Sequence, residues 1–148
     1  MRRVFNLGAL IFTLALPLNA ETTVTYVTSD SFDDVTFGLE SAILDKGLVI
    51  DSISHVGDML DRTGADVGSQ KTIFLNADVY SFCSAALSRK VMEIDPMNLQ
   101  FCPYGIFVMV HPDTPDQTTI GYRQMPDGAM KEVEALLDSI ARAAIDLD

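Results

Sequence analysis

The chain changes its hydrophobic period several times, and each change marks a boundary between a strand and a helix. Residues 23–28 read Thr-Val-Thr-Tyr-Val-Thr, an alternation of β-branched or aromatic side chains that is typical of a strand. Residues 32–46 place apolar side chains every three or four positions, which predicts a helix. Ser31 has the side chain of an N-cap, and Gly47 suits the residue that ends a helix.

The rest of the pattern predicts further strands and helices with short connections. Residues 58–62 form at most a short helical turn, and residues 64–70 form a loop. Pro96 ends the helix before it, because proline has no backbone N–H to donate. The predicted elements are strands at 48–56, at 72–82 with a bend near 76–78, at 103–110 and at 118–124, and helices at 84–94 and 128–147.

Strands that alternate with helices, with one pair of strands joined by a short turn at 111–117, indicate an α+β fold. We expect a two-layer sandwich, in which about three helices cover a mixed sheet of four to five strands. The most apolar strand, residues 103–110, is expected at the centre of the sheet. No repeat or linker interrupts residues 21–148, so they are expected to form a single domain.

Residues 1–20 have the layout of a cleavable signal peptide. Arg2 and Arg3 give a positive start, an apolar run extends to Leu18, and Ala20 offers a small residue for cleavage. The run is shorter than the ~20 apolar residues that a membrane span needs. We therefore expect a bacterial protein that is exported to the periplasm or secreted, with no membrane attachment after cleavage.

The charge of the chain limits the classes of partner that it can bind. The formal net charge is −11 at pH 7, and removal of Arg2 and Arg3 would make it more negative. A strongly acidic chain repels nucleic acid and anionic membrane surfaces. We therefore expect an unknown small ligand or protein as the partner, not nucleic acid or a membrane, and an edge-to-edge homodimer of the sheet is a further alternative.

Two stretches resemble a known family. They are FCSAALSR at 82–89 and DPMNLQFCPYGI at 95–106. They are similar to the exported branch of the bacterial "domain of unknown function 302" family, and the resemblance extends over roughly residues 23–145. It implies a compact α+β domain and brings no established reaction. Relatives often carry a histidine after the Asp-Pro pair, where this chain has Met97 and Asn98, so no metal ligand is carried over there.

Cys83 and Cys102 are the two cysteines of the chain. Two cysteines in an oxidising compartment usually pair, which favours a disulfide. If their strands are parallel, the two residues lie at opposite edges of the sheet, beyond the usual Cα separation of about 4.4–6.8 Å. If the strands are antiparallel, residues 95–101 can carry the chain back. A disulfide and a pair of buried free thiols both remain open.

A soft-metal site is a sharper alternative for the same cysteines. Met92, Met97 and Met109 are close to them in sequence, and thiolate with thioether suits Cu(I). Met92 and Met109 are equally well explained as core residues. We therefore predict no metal and no cofactor, with copper kept as an alternative.

The chain lacks the motifs of common catalytic sites. It has no Gly-x-Ser-x-Gly, no phosphate-binding glycine loop and no Cys-x-x-Cys. Asp33 and Asp34 could be an acid/base pair, but their position at a helix N-terminus explains both. We find no catalytic residue, and a non-enzymatic protein is expected.

Candidate binding residues are arginines and tyrosines near strand ends, which give directional hydrogen bonds. They are Arg89, Tyr104, Tyr122 and Arg123. Arg89 has a simpler explanation, a helical ion pair with Glu93 four residues on.

From these observations we expect a non-enzymatic ligand-binding or accessory protein of the bacterial cell envelope. Its binding site is predicted around Cys83, Cys102, Tyr104 and Arg89. The alternatives are a thiol-disulfide redox protein that uses the two cysteines, or a copper binder.

Overall fold

The structure is a computed structural model that describes residues 22–147, so the predicted signal peptide lies outside the described residues. The strands are β1 (Thr23–Thr28), β2 (Val49–His55), β3 (Asn76–Cys83), β4 (Tyr104–Val110) and β5 (Thr118–Arg123). The α-helices are α1 (Phe32–Asp45), α2 (Val56–Thr63), α3 (Ala85–Ile94) and α4 (Lys131–Ala143). Ala65–Val67 and Pro96–Phe101 are short 3₁₀ segments.

The five strands form one sheet in the order β1-β5-β4-β3-β2, and every neighbouring pair in it is antiparallel. The α+β class and the number of strands are confirmed. The sheet is antiparallel rather than mixed, because α3 and the 3₁₀ segment after it return the chain to the end of the sheet where β3 finishes. β1 and β2 point the same way but lie at opposite edges, so they do not pair.

β4 is the middle strand, as its apolar sequence predicted. Its side chains alternate between fully and partly buried, which is the period of a sheet with one covered face. Helices α1 and α4 pack side by side on that covered face. The core between them and the sheet includes Leu39, Ile43, Ile106, Val108, Leu137 and Ile140, all 0% exposed.

The helix ends follow local chemistry. The Ser31 hydroxyl accepts a hydrogen bond from the Asp34 N–H at 3.1 Å, which confirms the predicted cap of α1. Gly47 has a φ of 71°, as a residue that ends a helix in the left-handed region requires. Gly128 has a φ of 92°, so α4 begins three residues later than the sequence pattern indicated.

Two elements differ from the prediction. Residues 56–63 form a full helix, α2, rather than a short turn. The predicted strand 72–82 begins only at Asn76, because Asn76 pairs with Val110 at the end of β4 and the residues before it have no strand opposite them. The structure therefore has four α-helices where about three were expected.

The face of the sheet away from α1 and α4 is called the open face here. Most of its residues alternate with the core residues and are exposed or half-buried, whereas Ala77 and Gly121 on this face are buried. The residues of the open face include Thr23, Thr25, Val79, Ser81, Gly105, Phe107, Met109, Thr119, Gly121 and Arg123. This uncovered layer is where a ligand can reach the sheet.

Candidate functional site

The predicted site residues Cys83 and Cys102 lie next to each other. Cys83 ends β3, and Cys102 follows the 3₁₀ segment that precedes β4. Their sulfur atoms are 2.6 Å apart and both residues are half-buried. The two side chains face each other in positions that suit a bond between them. The antiparallel pairing of β3 with β4 explains this proximity.

The environment of Cys83 disfavours the thiolate. Burial, followed by the adjacent Cys102, raises the pKa of the Cys83 thiol to about 12. Thiol–disulfide exchange enzymes depend on a thiolate, which needs a lowered pKa. A reduced Cys83 would therefore be a poor nucleophile at neutral pH.

Tyr104 lies beside the cysteine pair but is buried, whereas Arg89 is on an exposed helix face. Tyr104 is 1% exposed, and its hydroxyl hydrogen-bonds with that of Ser88 at 2.8 Å. Arg89 is on the exposed side of α3, where its guanidinium pairs with Glu93 at 2.8 Å. The alternative explanation of Arg89 as a helical ion pair is confirmed. Both side chains thus have structural partners of their own.

The methionines considered as copper ligands are spread over different environments. Met92 packs against the core, Met97 is 67% exposed, and Met109 is half-buried on β4. Within residues 22–147 there is no group of three His, Cys, Asp or Glu side chains that could hold a metal ion. No helix of this part of the chain is long and apolar enough to cross a membrane.

A cleft of about 720 Å³ lies on the open face, at the end of the sheet that also carries the cysteines. Its floor is formed by alternating residues of β3 and β4: Val79, Ser81, Gly105 and Phe107. A pocket for a small ligand has a volume of about 300–1,000 Å³ and a mainly apolar lining with a few polar groups. The volume of the cleft lies in this range, and its lining is mixed: apolar residues such as Val79 and Phe107 lie beside six polar ones, Thr22, Thr23, Ser81, Gln100, Arg123 and Gln124.

The walls of the cleft come from segments that flank the sheet. Gln100, Phe101 and Pro103 form one wall, and they surround Cys102 in sequence. Arg123 and the two residues after it belong to the lining as well. The cysteine pair therefore ties one wall of the cleft, through Cys102, to the end of a floor strand, through Cys83.

Two glycines shape the floor in different ways. A Cβ at Gly121 would lie 2.6 Å from the Val24 oxygen and 2.7 Å from Cζ of Phe107, so the Phe107 ring occupies the space above this glycine. A Cβ at Gly105 would meet only ordinary contacts, the nearest being Cγ1 of Val79 at 3.7 Å. Gly105 thus leaves room in the cleft that a side chain would fill.

Sequence reasoning named Arg123 as a candidate but missed Gly105 and Phe107. The run 103–110 was predicted only as the most apolar strand at the centre of the sheet, with no assignment of its two faces. The signal that could have identified the floor is the glycine itself, since glycine inside a strand often marks close approach of a ligand or another backbone.

Among solved structures, the chain is similar to the crystal structure of an uncharacterized conserved DUF302 protein from Bacillus stearothermophilus. The TM-score is 0.60 with 16% sequence identity, and the match covers 86% of this chain and 95% of that one. The chain has a DUF302 fold. The resemblance inferred from residues 82–106 is confirmed at the level of the fold.

The other two comparisons found nothing: no family model matches the sequence, and no curated protein does. The DUF302 protein is itself described as uncharacterized, so the DUF302 fold brings no activity with it.

Proposed function

We propose that this protein is a non-enzymatic ligand-binding domain of the bacterial cell envelope, and that its ligand occupies the cleft on the open face. The observation that carries the proposal is the cleft itself, about 720 Å³ in volume with Val79, Gly105 and Phe107 on its floor. Binding requires only shape and a few polar groups. Catalysis would require an activated acid, base or nucleophile, and the sequence supplied no motif for one.

The location of this cleft refines the predicted binding site. Cys83 and Cys102 hold a wall of the cleft rather than contacting the ligand, and Tyr104 supports the floor strand from its buried side. Arg89, paired with Glu93, is not among the lining residues. The site therefore shifts from the cysteines to the neighbouring open face.

The proposal can be tested with variants that place a side chain at Gly105, on the floor of the cleft, and so fill the space for a ligand. Gly105→Ala and Gly105→Val add one and three carbon atoms where the nearest atom is 3.7 Å from the new Cβ. Valine also suits a strand, so the fold should be retained. The control is Thr119→Val, on the same face of β5 but outside the cleft lining.

Native mass spectrometry would follow ligand capture from an extract of bacterial small molecules. Wild type and Thr119→Val should take up the same added mass, Gly105→Ala less, and Gly105→Val none. An added mass that persists in Gly105→Val would place the ligand elsewhere. Capture of no mass by any of the proteins would contradict a binding function for small molecules.

The location in the envelope rests on the signal-like sequence of residues 1–20. Its test is the mass of the protein recovered from an expressing bacterium. Cleavage after Ala20 predicts a chain that starts at Glu21 in the periplasm or the medium. An intact chain that keeps Met1 in the cytoplasm would contradict export.

A thiol-disulfide redox protein is the second candidate, and the 2.6 Å separation of the two sulfur atoms favours it. The raised pKa of Cys83 opposes it, because catalytic exchange needs a thiolate. We therefore assign the cysteines a bracing role. A reduction potential below about −300 mV is expected for a structural disulfide; a higher potential would favour redox cycling instead.

A further inference from the structure

The cleft differs in charge from the rest of this acidic molecule. The chain has 21 Asp and Glu residues against 10 Lys and Arg. Among the described residues that line the cleft, however, none is acidic and one, Arg123, is cationic. The cleft therefore offers an anion one cation and no carboxylate among its lining residues.

The guanidinium of Arg123 also has no carboxylate partner among the described residues. Three other cations in the described part of the chain have carboxylate partners: Arg89 pairs with Glu93, Lys90 with Glu132 and Lys131 with Glu134. Lys46, Arg62 and Lys71 have no ion pair there either, but none of them lines the cleft. Arg123 forms no ion pair and no side-chain hydrogen bond within residues 22–147. A guanidinium presents paired N–H donors that match the two oxygens of a carboxylate.

The remaining lining suits an aromatic body. Phe101 on the wall and Phe107 on the floor offer ring surfaces, and aromatic rings pack favourably against one another. The side chains of Ser81 and Gln124 also line the cleft and have no hydrogen-bond partner among the described residues, so they can complete the polar contacts. One cation balances one negative charge, and a second charge buried there would have no counterpart.

We infer that the cleft takes a small aromatic monocarboxylate, with its carboxylate on Arg123 and its rings against Phe101 and Phe107. The inference rests on the ligand-binding function proposed above and narrows it to one chemical class.

The test uses a pair of probes that differ in charge, 2-naphthoate and the uncharged 2-naphthamide. Their binding to the purified protein would be measured by titration calorimetry. Two variants separate the contributions: Arg123→Gln removes the cation, and Gly105→Val fills the floor. Arg89→Gln is the matched control, because it changes the net charge equally but lies outside the cleft.

Naphthoate should bind more tightly than naphthamide, and Arg123→Gln should weaken naphthoate about tenfold or more, as loss of a charged hydrogen bond does. The same variant should leave the affinity for naphthamide unchanged, and Arg89→Gln should change the affinity for neither probe. Gly105→Val should abolish binding of both probes. Thermal unfolding of each variant would establish that it is folded.

The inference can fail in three ways, and each gives a different result in this experiment. If both probes bind with equal affinity, Arg123→Gln leaves that affinity unchanged and Gly105→Val prevents binding, the carboxylate class is overturned. The cleft would remain the binding site. Binding of naphthoate that survives Gly105→Val would overturn the cleft as its site. No binding of either probe at millimolar concentration would overturn the aromatic monocarboxylate class, and the capture experiment with the bacterial extract would then decide the wider proposal independently.

Discussion

Cys83 and Cys102 reach each other because the connection between their strands leaves and re-enters the same end of the sheet. One residue is the last of β3 and the other lies two positions before the first residue of β4, and these strands are antiparallel neighbours. The effect on the cleft is local. Gln100, Phe101 and Pro103, which form its wall, lie within two positions of Cys102.

We expect the two cysteines to be bridged in protein recovered from the periplasm, because they are adjacent and that compartment, to which export is proposed above, is oxidising. Protein purified without reductant should show no reactive thiol even in denaturant. The double variant Cys83→Ser/Cys102→Ser should unfold at lower urea concentration, with a loss of about 3 kcal/mol for a loop of this length.

Reduced wild type is the control for this comparison, and it should match the double variant in stability. Two thiols that react on denaturation of the unreduced protein would show that the cysteines are free. In that case the wall of the cleft would be held by packing alone.

At the scale of elements, α1 and α4 approach closely at one point. Gly38 of α1 lies against Ala144, the residue after α4, so that a Cβ at position 38 would overlap the Ala144 carbonyl oxygen. Glycine is otherwise unfavourable inside a helix by about 1 kcal/mol relative to alanine. Its presence here is explained by the contact between the two helices.

Gly38→Ala should therefore destabilise the protein, although the same change in a free helix stabilises it. Overpacking typically costs about 1–3 kcal/mol, which exceeds the gain in helix propensity. Urea unfolding would measure the difference, with Gly105→Ala as the control, since that glycine has open space above it. Equal or greater stability of Gly38→Ala would mean that the helices separate without cost.

The elements that the sequence predicts well are those whose signals are local. Ser31 and Gly47 mark both ends of α1, and the apolar stripe of α4 is buried from Met130 to Ala144. The pairing of β1 with β5 joins distant parts of the chain, and no short-range pattern encodes it. For the same reason the antiparallel arrangement was not foreseen.

The cleft was harder to foresee than the fold. It depends on which face of β4 the helices cover, and a strand with apolar residues on both faces does not reveal this. Ile94 shows the same limit on a helix: it follows Leu87 and Val91 at helical spacing, as a buried residue would, but it is 65% exposed at the end of α3. Cys83 and Cys102 were identified from sequence, whereas their separation required the sheet order.

At the scale of the whole molecule, all four tyrosines have partners or environments that favour the neutral phenol. Burial raises the pKa of Tyr80 to about 12 and is also the main cause of the raised pKa values of Tyr104 and Tyr122. A hydrogen bond to Asp138 is the main cause of the raised pKa of Tyr26. Tyr122 donates to the same Asp138 carboxylate at 2.8 Å.

The raised pKa values of the tyrosines predict that the folded protein loses stability at alkaline pH. A phenol whose pKa is raised in the folded state contributes stability that is fully present below its ordinary pKa of 10.0 and is lost as pH rises toward the folded value, about 12 for Tyr80. The free energy of unfolding should thus be unaffected by these phenols up to about pH 9 and fall between pH 10 and 12.

Ultraviolet difference absorbance would follow ionisation of the tyrosines while circular dichroism follows unfolding. The two curves should coincide, because these phenols ionise when the fold opens. Normal ionisation near pH 10 in a protein that stays folded would contradict the burial of these side chains. A Tyr80→Phe variant should lose less stability between pH 10 and 12 than wild type does.

The connection 84–103 between β3 and β4 has a consequence for how such proteins diversify. Because it departs from and rejoins neighbouring strands at one end of the sheet, changes at its exposed positions need not alter the order or register of the strands. Val91 in the core and Ser88, which hydrogen-bonds with Tyr104, are the positions that packing fixes. The connection also supplies one wall of the cleft, while the floor belongs to the sheet. We therefore expect that exchange of this one segment would alter the ligand preference of the proposed site, much as loop exchange retunes an antibody on a constant framework.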